Sequence, residues 1–390
     1  MTTTTDAPAP IGRSGSVATS RDHRGSWVPT GGMIAAKFKD LRKRRGLMIT
    51  LSVVTVGIPT IYFAIRLLQH AIDPHTYGPA GGYSQYVGVV VGVLYVFGFI
   101  VAATLGATAG SADLTEGMFR HHVVTGRSRV ALYLARIPAG LAIIVPLVAI
   151  GFTVVCTVCV FAAPTTLSYQ GVNVPVNLSS GGLQSWAADH ADEVICNFNL
   201  NLQNTPRGQA IAAVVNSVPC GGPGGGPKFV GPGSQAQATP AQISDAAKLV
   251  ARQNYADYTR QFLYPPTSLM VKTGLWIVLE AVIGFMVGLG LSSLLGQRTI
   301  TVVLLIVLEL IITPIASRAR LPHLSNLQRG VVGLATTHLE PGWLPAPFGG
   351  GPSDRSQLLH ESTTVAICVI VAWIVVWTVL GAWRMMTRDA

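Results

Sequence analysis

Charge is scarce in this chain. Only 11% of its 390 residues are Asp, Glu, Lys or Arg, against roughly 25% in an ordinary soluble domain. With 49% hydrophobic residues and a mean hydropathy of +0.47, the polar side chains cannot cover a water-facing surface, and the chain reads as an integral membrane protein. Acidic residues are the scarcest, 17 against 27 Lys and Arg, which leaves a formal charge of +10. The basic residues stand beside apolar runs, where the cytoplasmic leaflet attracts and orients them. The charge therefore reads as topology and excludes a nucleic-acid partner.

Catalytic motifs are also lacking. No G-x-S-x-G and no H-E-x-x-H occurs, and no Asp/His/Ser set clusters on a plausible external scaffold, so hydrolysis by this chain alone is not expected. No G-x-x-x-x-G-K-[ST] occurs either. "GGGPK" at 224–228 lacks the hydroxyl residue after Lys228 and has Pro227 where a backbone donor is needed. "NLSSGGLQ" at 177–184 resembles a nucleotide-binding signature peptide but falls on the external side of the topology derived below. The chain is not expected to be an enzyme or to bind ATP.

Cysteines number five. Cys156, Cys159 and Cys368 fall inside apolar runs, and the C-x-x-C formed by the first two lacks the second ligand pair of a zinc site, so it reads as packing. Cys196 and Cys220 lie in a polar segment and have the number and compartment for one disulfide. His121 and His122 are adjacent, about 100° apart on a helix, with no ligand at the matching spacing. No metal site is expected.

Long apolar runs are what the chain has. A helix crosses a bilayer core in about 20 residues, and six runs of that order appear, at 47–68, 86–110, 137–163, 273–295, 299–315 and 363–382. Pro59, Pro146 and Pro314 lie within or near their ends and are expected to kink them. Lys37, Lys39, Arg42, Lys43, Arg44 and Arg45 precede the first run, and the loop after it has no Lys or Arg, so the N-terminus is expected in the cytoplasm. Six crossings return the C-terminus to the same side, where Arg384 and Arg388 agree. Arg318, Arg320, Arg329 and Arg355 are discordant, since this topology puts them outside. The localisation implied is multi-pass in the plasma membrane.

The resulting organisation is an all-α membrane protein. It has a disordered cytoplasmic tail at 1–31, an amphipathic interfacial helix at 32–46, and spans one to three at 47–163 with a cytoplasmic loop at 111–130. An extracytoplasmic insertion follows at 164–268, then spans four and five at 269–317, an extracytoplasmic segment at 318–360, and span six with a short tail at 361–390. The first apolar run begins too far in for a signal peptide and is expected to stay as an anchor. The insertion is poor in large apolar blocks and carries a Gly/Pro linker at 221–234, so it is expected to be a partly ordered cap. Within it, Thr239 and Pro240 open a helix and 209–218 reads as a shorter one, bracketed by Cys196 and Cys220.

In the leading helix, Ile34, Phe38 and Leu41 recur at i, i+4 and i+7 among cations that include Arg42 and Arg45. That is the pattern of a basic helix lying on a membrane surface. "DLTEGMFRHHVVTGRSR" at 113–129 leaves the second span, forms a short helix through Glu116, Gly117, Met118, Phe119 and Arg120, and turns at Gly126. It then leads into the third span through Arg127 and Arg129. A positive-inside loop explains these arginines on their own.

The loop and the layout together resemble the permease subunits of type 2 ATP-binding-cassette transporters. Those chains carry a Glu-Gly-Thr-like start, a Pro-x-x-Arg-like turn and a basic lead-in to the third span, matched here by Glu116, Gly117, Gly126, Arg127 and Arg129. The resemblance covers 32–165 and 268–386; it departs where Gly126 replaces the usual proline and in the length of the insertion. It implies that the loop docks on a separate cytosolic ATPase, which holds the ATP and magnesium. It further implies a second permease copy or paralogue as dimer partner and substrate movement by alternating access, in the direction of export.

Two carboxylates fall inside apolar runs, Glu280 and Glu309. Each costs roughly 2.5–3.5 kcal/mol at mid-bilayer and should face protein or a wet cavity. Three uses remain open: a hydrogen bond across helices, a cavity for a cationic substrate, and proton coupling in a secondary transporter. Arg66, Arg136 and Lys272 stand near span ends as possible partners. A further alternative is a non-transporting membrane protein whose external region binds a ligand or an envelope partner.

Overall fold

A computed structural model describes residues 27–115, 128–169, 172–197, 239–260, 264–318, 328–341, 344 and 362–387. Among these residues, six helices are long and apolar enough to cross a bilayer. In chain order, a leading helix α1 (Gly31–Lys43) is followed by α2 (Arg45–Ile72), α3 (Tyr83–Ala112) and α4 (Arg129–Phe161), the first three spans. A hairpin, β1 (Thr166–Tyr169) and β2 (Val172–Pro175), then leads to α5 (Ser180–Asp189), α6 (Ala191–Asn197) and α7 (Pro240–Arg260). Spans four and five are α8 (Thr267–Leu295) and α9 (Arg298–Ala316). A short α10 (Val332–Leu339) precedes the sixth span, α11 (Thr363–Thr387). These spans define a multi-pass membrane protein.

The fourth span is the axis of the bundle. In its most apolar stretch 72% of residues are buried, against 17% in the sixth span and 22% in the first. It can be central because its small residues let neighbours come close. A Cβ on Gly288 would stand 2.5 Å from the Ala103 carbonyl oxygen, and one on Gly106 would stand 2.2 Å from that of Phe285. Backbones of the second and fourth spans therefore touch directly, the usual way membrane helices gain contact when lipid is as apolar as the core.

Three π-helical turns interrupt the spans, at Val53–Gly57, Val90–Tyr95 and Leu308–Ile312. Two of them answer to prolines. Pro59 and Pro314 lack the N–H that would serve the carbonyl four residues back, and the wider turn just before each absorbs the mismatch. In the fifth span the Thr313 hydroxyl also donates to the Leu308 carbonyl at 3.0 Å. Pro146 lies inside an unbroken stretch of helix.

Element limits differ from the sequence expectation at several points. The leading helix ends at Lys43, because Arg44 (φ −74°, ψ 72°) leaves helical geometry before the first span begins. The third span starts at Arg129, not at 137, and so carries Arg136 into the bundle. This arginine is buried, 1% exposed, and its Nη1 donates to the Gly110 carbonyl at 2.9 Å.

The insertion, expected as a partly ordered cap poor in large apolar blocks, holds a strand pair and a small core beside its helices. Leu167 and Val174 pair across the two-stranded antiparallel hairpin. Val174, Leu183, Val194, Ile195, Ala247 and Val250 form a small core of their own. The helix opened by Thr239 and Pro240 is present, with Thr239 N–H donating to Gln242 Oε1 and Gln242 N–H to Thr239 Oγ1. The Tyr258 hydroxyl donates to the Pro175 carbonyl at 2.7 Å and accepts from Leu178 N–H at 3.1 Å, fastening the hairpin to α7. Burial pushes the Tyr258 phenol above its ordinary value. Cys196 is disulfide-bonded, whereas Cys156, Cys159 and Cys368 are free. Cys220, the 209–218 helix and the 221–234 linker lie outside the described residues.

Candidate functional site

Glu280 and Glu309 are both buried inside protein, 2% and 1% exposed. Glu309 is the second residue of the π-helical turn in the fifth span, and Tyr95 is the last residue of the one in the second. The Tyr95 hydroxyl donates to Glu309 Oε1 at 2.9 Å, so the two irregular turns meet through their polar side chains. Single π turns re-aim side chains out of the regular helical register and recur at functional sites.

Trp276 completes the wall. Its ring stacks on Tyr95 with centroids 4.8 Å apart and planes 6° from parallel, and its Nε1 donates to the Thr336 carbonyl at 3.1 Å. Glu280 lies one turn further along the same helix. The Thr336 hydroxyl stands beside its carboxyl, while Glu280 Oε1 finds no hydrogen-bond partner among the described residues. The short helix α10 thus closes the site from outside the spans. Gly333 near its start lies against Glu309 Oε2, and Glu340 at its end is buried within electrostatic range of Glu280 and Tyr95.

The cationic partners considered for the two glutamates are elsewhere. Arg66 donates to the carbonyls of Tyr77 and Pro79, both at 3.1 Å. Arg136 bonds the end of the second span, and Lys272 is exposed. What the site offers is carboxyl oxygens beside an aromatic stack in an apolar bundle, chemistry that suits a proton or a cation. Among the described residues no three His, Cys, Asp or Glu side chains are close enough together to hold a metal ion.

Sequence reasoning did not select Tyr95, Trp276, Thr336 or Glu340. The available signal for the last two was "VVGLATTHLE" at 331–340, an apolar run too short to span and ending in a carboxylate.

Around the first turns of the third span a second arrangement appears. Met33 packs with Ala131, Leu132 and Ala135, with Ile34 against them, and Leu41 with Phe38 joins the main core of the bundle. The apolar face of α1 is therefore applied to protein, while Arg42 and Arg45 are exposed. Arg129, the first residue of the third span, donates to the Met386 carbonyl at 3.0 Å. Tyr133 meets Gly381, whose added Cβ would stand 2.4 Å from its hydroxyl. The leading helix, the start of span three and the end of span six form one packed block. Of the loop residues, Glu116, Gly117, Met118, Phe119, Arg120, Gly126 and Arg127 lie outside the described residues.

No family model, no curated protein and no solved structure matches the chain.

Proposed function

We propose that the chain is the membrane-spanning permease subunit of an ATP-binding-cassette exporter, driven by separate cytosolic ATPase subunits and paired with a second permease copy or paralogue. The observation that carries this reading is the block in which α1, the start of span three and the end of span six are packed together. It flanks the 116–127 segment, where the sequence resembles the family's ATPase-docking loop. A load applied there has a rigid path: through Arg129 to span six, through Ala131 and Ala135 to α1, and through Arg136 to the end of span two at Gly110. Packed elements of this kind move as units, which alternating access requires. In this reading ATP and magnesium stay on the partner, both termini and the loop are cytoplasmic, and the insertion is extracytoplasmic.

The carboxyl site at spans two, four and five then serves the cargo path. Glu280, with one carboxyl oxygen unserved by the surrounding residues, is the group with capacity left for a ligand. Co-expression with a P-loop ATPase encoded beside this chain tests the reading. ATP hydrolysis in membranes should depend on both polypeptides, and hydrolysis indifferent to this chain argues against it.

A second reading draws on the same carboxyl site. Buried glutamates without an arginine or lysine partner among the described residues also suit proton coupling in a secondary transporter. Its distinguishing result is pH-dependent flux that needs no ATP and is abolished by Glu280→Gln or Glu309→Gln.

A further inference from the structure

A cavity of about 410 Å³ opens where α1, α3 and α9 converge, within the range of small-ligand sites. Arg44 reaches it from the break between the leading helix and the first span. Thr108 and Ser111 form its floor from the last turns of the second span, and Gln297, Arg298 and Thr299 come from the start of the fifth. We propose that this cavity holds the headgroup of an anionic glycerophospholipid, with the phosphate between Arg44 and Arg298.

The charge of the lining selects an anion. Arg44, Arg298 and Gln297 bring two guanidiniums and an amide to the lining, and among the described lining residues there is no carboxylate. Guanidinium forks match phosphate oxygens in pairs. The first turn of the fifth span contains no acidic residue, and Gln297 at its N-cap makes no side-chain capping bond. The N–H groups of that turn add to the positive side of the cavity.

Depth selects a lipid over a solute. Arg44 immediately precedes the first residue of span one, Ala112 is the last residue of span two, and Arg298 is the first residue of span five. All three spans change from apolar to polar at the cavity, the level at which a bilayer places its phosphates. Just below, Ile49 and Val53 on the first span and Ile300, Val303 and Leu304 on the fifth are exposed, offering apolar surface to acyl chains.

The floor refines the headgroup. Thr108 and Ser111 are buried, and their hydroxyls already donate to the carbonyls of Thr104 and Ala107, both at 2.8 Å. The Thr108 hydroxyl, its hydrogen already donated, meets the cavity as an acceptor, which suits a headgroup that brings its own hydroxyl hydrogens, as the glycerol of phosphatidylglycerol does.

The test is native mass spectrometry of the full-length protein, purified in detergent and supplemented separately with phosphatidylglycerol, diacylglycerol, glycerol phosphate or inorganic phosphate. Phosphatidylglycerol should remain bound at one per chain and diacylglycerol should not. Arg298→Gln, a change at an exposed position, should lower retention by about tenfold, and adding Arg44→Gln should lower it further. Arg42→Gln with Lys43→Gln, exposed cations outside the cavity, should leave retention within about twofold. Equal loss in that control would reduce the effect to general surface charge and overturn the site. Retention unaffected by Arg298→Gln would overturn it as well. Displacement of the lipid by equimolar glycerol phosphate or inorganic phosphate would overturn the lipid assignment in favour of a soluble phosphate.

Discussion

Tyr95 and Glu309, 214 positions apart in the chain, are joined by a 2.9 Å hydrogen bond between two π-helical turns of different spans. Removing the donor leaves a carboxyl oxygen in a place water does not reach. Tyr95→Phe should therefore destabilise the protein by about 1–3 kcal/mol. Glu309→Gln keeps an acceptor for the tyrosine and should cost less. Thermal unfolding in detergent or nanodiscs compares the two, and an unchanged melting temperature for Tyr95→Phe would count against the bond.

Close approach of the second and fourth spans makes a second test. Gly106→Ala and Gly288→Ala each place a methyl group onto a backbone carbonyl of the facing helix. Each should cost about 1–3 kcal/mol through overpacking. Gly98→Ala, in the same second span but with open space at its Cβ, should be neutral or slightly stabilising, by about 0.5–1 kcal/mol. If all three behave alike in a thermal-shift assay, helix propensity rather than interhelical contact governs these positions.

The side of the membrane on which the insertion lies can be read by labelling. Ser185 on α5 is exposed. A Ser185→Cys variant should react with a membrane-impermeant maleimide on intact cells or right-side-out vesicles. Labelling that appears only after permeabilisation would place the insertion in the cytoplasm and invert the topology.

The insertion should also respond to alkali. Burial raises the Tyr258 phenol above its ordinary value of 10.0, so the folded form holds that proton more tightly than the unfolded chain. The associated stability is fully present below that ordinary value and is lost as pH rises through the raised one. Tyr258→Phe should remove this alkaline component and, at neutral pH, the two hydrogen bonds to Pro175 and Leu178. Unfolding midpoints of the two proteins across alkaline pH measure the difference, and parallel curves would contradict it.

The six spans were legible because a bilayer demands length and apolarity from a contiguous run, a property read directly along the chain. The start of span three was not. Arg129 and Arg136 look like loop residues until their carbonyl partners, Met386 and Gly110, are known. Part of the insertion's core was hidden because it is built with Ala187, Ala246 and Ala251, small residues that carry little hydrophobic signal but let helices pack closely. Glu280 and Glu309 stood out as carboxylates in apolar runs. Tyr95 and Trp276 did not, because an aromatic residue in a span is ordinary and only its stacking and hydrogen bonds mark it.

The most direct measurement is affinity purification of the chain from its native membrane, with the eluate assayed for ATP hydrolysis and its polypeptides identified. A P-loop ATPase should be retained in stoichiometric amount and lost when Met118, Phe119 and Arg120 are replaced together by alanine, with the six-span chain still inserted and stable. Recovery of the chain with no ATPase, or an ATPase held equally well after that replacement, would contradict a permease driven through the 116–127 loop.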